Sequence, residues 1–155
     1  MTRCAAPSTS SAKTGSEIGL VYLDASALVK LVADEPESEA LHSWLGPRTE
    51  RVSSVIGAIE LRRAVMRAGR SHDHAAGAAI ATKTDALLGG LTLIDLDGEI
   101  ARHSASLEPW SLRSLDAIHL ATALALPSLE ALVTYDGRLA AAAASAGLPV
   151  HAPAD

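Results

Sequence analysis

The chain has 155 residues, enough for one domain with a real core, and its net charge of −5 argues against coating nucleic acid through a broad basic face. Hydrophobic residues make up 48% and charged ones 20%, so apolar surface is in surplus and a homodimer or another obligate partner is expected. Cys4 is the single cysteine, which excludes an intrachain disulfide or a thiolate zinc site and makes a reducing, cytoplasmic location the default.

Residues 1–19 are small and polar and lack the apolar stretch of a secretory signal. They are expected to form a disordered tail ahead of a single domain over residues 20–153. Asp24 and Lys30 interrupt the longest apolar stretch, so no membrane span is expected. The run Leu20–Leu23 suits a strand buried on both faces and is followed by a short helix over Ala25–Val32. Pro36 opens a second helix, with Glu37 and Glu39 in its first turn where the helix dipole favours them. A brief strand is predicted over 51–53, then a helix over 55–68 stopped by Gly69. Ser71 caps a further helix to about residue 88, closed by Gly89-Gly90.

A strand over 91–94 leads to Asp97, which caps a helix to about Ser106, and Pro109-Trp110 lies in a loop. A helix over 115–126 ends at Pro127; then come a strand over 131–134, a helix over 137–146 closed by Gly147, and a last strand over 148–150. Alternating strands and helices predict an α/β fold, a parallel sheet flanked by α-helices on both faces. In such sheets, sites form at the carboxyl ends of strands.

Asp24, Glu60, Asp116 and Asp136 each stand in apolar surroundings, where an unpaired carboxylate is costly. Each has an ordinary alternative. Asp24 and Asp136 are preferred residues for capping the helices that follow, Glu60 could lie on a solvated face, and Asp116 could stabilise a helix start. If they converge, an all-oxygen acidic pocket suits a hard divalent cation, and the chain becomes a candidate metal-dependent phosphodiesterase.

The sequence Tyr22-Leu23-Asp24-Ala25-Ser26-Ala27-Leu28-Val29-Lys30 resembles the opening motif of PIN-domain ribonucleases, in particular the VapC-type toxins of toxin–antitoxin pairs. Ala58-Ile59-Glu60-Leu61 is similar to the second acidic motif of that family, and the stretch from Leu112 through Leu115-Asp116-Ala117-Ile118-His119 to Ala123 to the third. Val133-Thr134-Tyr135-Asp136-Gly137-Arg138-Leu139 is similar to the fourth. The resemblance spans about residues 20–153 and implies a parallel sheet, one or two Mg²⁺ or Mn²⁺ ions, hydrolysis of RNA phosphodiester bonds, and a VapB-like antitoxin as partner. It implies direct metal contact for Asp24 and Asp116. Glu60 and Asp136 would complete the ligand set, and the hydroxyls of Ser26 and Thr134 would support it from behind.

Arg63, Arg67 and Arg70 form a stripe beside Arg62 on the Glu60 helix: an ordinary solvated face, a path that steers RNA, or a dock for an acidic antitoxin segment. His119 lies one turn after Asp116, where it either orients that acid or packs as a structural histidine. His72-Asp73-His74 does not suit a metal, since residues two apart on a helix do not face each other. Asp95 and Asp97 suggest a small DxD phosphatase, but the last lysine is Lys83, so the lysine that chemistry requires downstream is missing. A PIN-fold binding module that no longer cleaves is the other alternative, which the presence of all four acids disfavours.

Overall fold

In the computed structural model, the described residues are 19–46, 48, 50–69 and 74–154. Residues 1–18 of the tail expected over 1–19, the cap at Ser71, the His72-Asp73 pair and Arg70 lie outside them. The elements run β1 (Leu20–Leu23), α1 (Ala25–Val32), α2 (Ser38–Leu45), β2 (Arg51–Ser54), α3 (Val55–Gly69) and α4 (His74–Gly89), followed by β3 (Thr92–Ile94), α5 (Gly98–Ser106), α6 (Ser114–Leu124), β4 (Leu129–Val133), α7 (Gly137–Ser145) and β5 (Val150–His151). All strand pairings are parallel, in the order β3-β2-β1-β4-β5.

The middle strand explains both faces of the sheet. Successive side chains of a strand point to opposite sides, so β1 feeds two separate cores. Val21 and Leu23 pack with Ala27, Leu28, Leu41, Leu45 and Leu61 beneath α1 to α4. Tyr22 packs with Leu120, Leu132, Leu139 and Ala143 beneath α6 and α7. Each buried leucine or valine contributes about 1.5–3 kcal/mol relative to exposure, so the helices are held to the sheet mainly by this apolar contact. The register aligns Leu23 with Val133, which brings the two strand ends that lead into Asp24 and Thr134 side by side. Asp24 N–H bonds across to the Val133 carbonyl at 3.2 Å.

Several boundaries differ from expectation for identifiable reasons. Pro36 does not open α2; Glu37 sits at the capping position outside the helix, and its carboxylate pairs with Lys30, which also binds Glu35 at 2.8 Å. The last strand begins at Val150 because Leu148 is spent on closing α7. Its N–H reaches the Ala143 carbonyl at 3.0 Å while Gly147, at φ 85°, bonds to Ala144, the 6→1 and 5→2 pair of a Schellman motif. α6 stops at Leu124, and the Ala125 and Leu126 N–H groups close it with shorter-range turn bonds. Among the described residues no helix is long and apolar enough to cross a membrane.

Candidate active site

Asp24 leaves β1 with extended backbone geometry and caps α1, as an aspartate before a helix can. Its Oδ1 accepts the Ala27 N–H at 2.9 Å and the Ser26 hydroxyl at 2.7 Å; its Oδ2 accepts the Thr134 hydroxyl at 2.6 Å. Both hydroxyls are themselves aimed by backbone donors: Ser26 Oγ accepts from Tyr135 N–H at 2.8 Å, and Thr134 Oγ1 from Asp136 N–H at 3.0 Å. Each hydroxyl proton is thereby committed to the carboxylate. Asp24 is only 4% exposed, and burial raises its pKa despite these bonds, which act in the opposite sense.

Asp136 follows β4 and caps α7, its Oδ1 accepting from Arg138 N–H at 2.8 Å and Leu139 N–H at 3.1 Å. Its capping role is real, and it is compatible with a site role because one oxygen serves the helix. Asp116 stands in the first turn of α6, half-buried, and differs from the others. Its Oδ2 is buried with no hydrogen-bond partner. Burial first, then the negative charge of Asp136 and more weakly that of Glu60, push its pKa up, against the pull of His119 and Arg113. A helix-start role does not account for an orphaned oxygen under repulsion from two other acids.

Glu60, on α3, is not on a solvated face. Its Oε2 lies 2.8 Å from His119 Nε2, and His119 Nδ1 lies 2.7 Å from the Tyr22 hydroxyl. His119 therefore reaches Glu60 rather than orienting Asp116. Burial holds the Tyr22 phenol well above its ordinary pKa, so it keeps its proton. Nothing in the sequence marked Tyr22, which reads as one more apolar strand residue.

The sheet thus gathers Asp24 and Asp136 at adjacent strand ends, with Asp116 and Glu60 brought up by α6 and α3. Ser26 and Thr134 stand behind Asp24. Among the described residues, no three acidic or histidine side chains are drawn into a ready metal cage. Mutual repulsion between charged carboxylates opposes such closure. The oxygen-only donors and the orphaned Asp116 Oδ2 fit a hard divalent cation.

Arg62, Arg63 and Arg67 are exposed along α3 and, with Met66, line a shallow groove of about 370 Å³. Arg62 pairs with Asp85 of α4 at 2.8 Å; Arg63 and Arg67 have no acidic partner among the described residues. In the DxD segment, Asp97 caps α5 through the Glu99 and Ile100 N–H groups, and Asp95 is exposed.

Comparison with known proteins covers nearly the whole described chain. The PIN domain family matches residues 21–145. Ribonuclease VapC46 of Mycobacterium tuberculosis is 42% identical over 134 residues, covering 86% of this chain and 97% of that protein. Ribonuclease VapC35 of the same organism is 41% identical over 139 residues, again covering 86% and 97%. Two crystal structures share the fold at a TM-score of 0.62. PAE2754 from Pyrobaculum aerophilum is 20% identical, covering 86% of this chain and 83% of that one. The sarcin-ricin-loop-cleaving toxin VapC20 of Mycobacterium tuberculosis is 14% identical, covering 86% and 99%.

Proposed function

The chain belongs to the PIN-domain family, among its VapC ribonucleases, and we propose that it is a Mg²⁺- or Mn²⁺-dependent endoribonuclease whose metal is held by Asp24, Glu60, Asp116 and Asp136. The observation that carries the assignment of the acids is Asp116 Oδ2, a buried oxygen without a partner under the negative charge of Asp136 and Glu60. A protein tolerates such an atom where something outside the chain completes it.

When bound, the cation supplies a water of lowered pKa and positive charge for the phosphate oxygens. The chain supplies orientation. Ser26 and Thr134 lock the Asp24 carboxylate in one rotation through both its oxygens, and the α7 N-terminus fixes Asp136 through Oδ1. Asp116 presents its unpartnered oxygen, and Glu60 is anchored through Oε2 to a buried histidine. Pre-set ligands lose little freedom on binding, and donors fixed in place stabilise developing charge without rearranging.

The proposed physiological setting is the cytoplasm, as the toxin of a toxin–antitoxin pair with RNA as substrate and a VapB-like antitoxin as partner. The unpaired Arg63 and Arg67 support a contact with phosphate or with acidic peptide along α3. A homodimer is supported by exposed apolar side chains, Met66 at 71% and Trp110 at 73% among them.

The test is Asp116→Asn, which removes one charge at nearly constant shape. Carboxylates about 4–5 Å apart repel by roughly 3–4 kcal/mol at an effective dielectric of about 20, before relaxation and proton uptake reduce it. The variant is expected to lose RNA cleavage, to be as stable as wild type or more so in EDTA, and to show a smaller Mn²⁺-induced rise in melting temperature. An undiminished Mn²⁺ shift in the variant removes Asp116 from the ligand set. Cleavage by wild type that persists in EDTA overturns metal dependence.

A further inference from the structure

Behind the acids runs a polar line that ends on one of them: the Tyr22 hydroxyl, His119 and Glu60, joined at 2.7 Å and 2.8 Å. Its members come from β1, α6 and α3, separated by 97 and 59 residues in the chain. Tyr22 is fully buried, and His119 is 2% exposed. Gly57, one turn before Glu60 on α3, makes room for it: a Cβ there would lie 3.1 Å from His119 Cε1 and 2.6 Å from Ser53 Oγ. Polar side chains placed this deep are costly unless each is satisfied, and here each satisfies the next.

We propose that Tyr22 and His119 are positioning residues for Glu60: the carboxylate Oε2 only accepts, so His119 Nε2 donates to it, and the Tyr22 hydroxyl holds the ring in place at Nδ1. This rests on the reading of Glu60 as a metal ligand. A neutral imidazole has one donor and one acceptor nitrogen, and whichever bond one nitrogen makes decides the role of the other. Glu60 Oε2 is then tied down, and Oε1 is the oxygen left for a cation. His119 touches neither substrate nor metal in this scheme; it turns a flexible glutamate into a fixed one. Partners that orient ligands in this way are commonly worth about 10–100-fold in metal affinity.

The experiment uses the full chain and Mn²⁺ alone, read by the electron paramagnetic resonance signal of the free ion. It compares wild type, Tyr22→Phe, His119→Asn and His119→Gln. A glutamine amide places an N–H where Nε2 stands, whereas asparagine places one only where Nδ1 stands. Tyr22→Phe and His119→Asn are expected to bind Mn²⁺ about tenfold more weakly, and His119→Gln to stay within about threefold of wild type. In wild type, imidazole ¹⁵N shifts of His119 are expected to show a proton on Nε2. Tyr22→Phe, which removes a single hydroxyl, decides the matter if a His119 variant fails to fold. Equal weakening by Asn and Gln marks His119 as merely structural and overturns the proposal. Unchanged Mn²⁺ affinity in Tyr22→Phe, or a proton on Nδ1 alone, also overturns it while leaving the metal reading intact. Wild type that binds no Mn²⁺ overturns both.

Discussion

Asp24 and Asp116 are acids whose pKa values are raised in the folded chain, chiefly by burial. The folded state then holds its protons more tightly than the unfolded chain does. Stability from these two groups therefore falls as pH rises, from the ordinary carboxylate value near about 4 up through their raised folded values. The pair of Lys30 with Glu37 acts the other way, because the lysine lowers the Glu37 pKa, and stability from that acid is lost as pH falls. Comparing variants separates the two effects. In EDTA, the melting temperature of Asp116→Asn is expected to decline less than that of wild type between mildly acidic and neutral pH. Saturating Mn²⁺ is expected to flatten the wild-type decline. A wild-type curve in EDTA with the same slope as the variant would show that Asp116 is not under strain. The four acids were legible because each interrupts an apolar stretch beside a strand end or within a helix, a placement for which burial demands a reason. Tyr22 was not, since a tyrosine in a buried strand reads as apolar until the histidine 97 residues later is seen against its hydroxyl.

At the scale of elements, two glycines in helices have opposite expected behaviour. Gly77 lies inside α4 with nothing near an added Cβ, so Gly77→Ala is expected to stabilise by about 0.5–1 kcal/mol through backbone entropy. Gly57 gains the same helical preference in principle, yet its Cβ would press on Ser53 Oγ, which is committed to the Leu23 carbonyl at 2.7 Å. Overpacking of this kind costs about 1–3 kcal/mol, so Gly57→Ala is expected to lower the melting temperature and, by displacing His119, to weaken Mn²⁺ binding. Chemical denaturation of both variants checks the contrast, and equal stabilisation would show that α3 can shift away from β2 without cost. The elements themselves were largely readable from apolar runs and their stops. Their ends were less so, because ends are decided by bonds to neighbours: the Schellman closure takes Leu148 from the last strand, and Lys30 draws Glu37 out of α2.

For the whole molecule, net charge and local charge point in different directions. The chain is acidic overall, while α3 presents Arg63 and Arg67 without acidic partners among the described residues. If these arginines guide RNA, replacing both with glutamine is expected to weaken RNA binding most at low salt. The slope of log affinity against log salt should then fall by roughly 1.4, at about 0.7 per lost charge on a single strand. Binding isotherms across a salt series measure it. Unaltered RNA affinity with lost antitoxin binding assigns the stripe to the protein partner instead.

The strand order has a bearing on how such a protein is made. Among the described strands β1 lies at the centre of the sheet yet comes first in the chain, and its neighbour β4 is the fourth of the five. Thr134 meets Asp24 across 110 residues of chain, so the joint behind the proposed site closes only after all of that stretch has been made. A nascent chain halted before Leu129 carries Asp24, Glu60 and Asp116 but lacks Asp136 and the strand that backs Asp24. The topology itself therefore delays completion of the proposed site until the fourth strand and Asp136 have been synthesised.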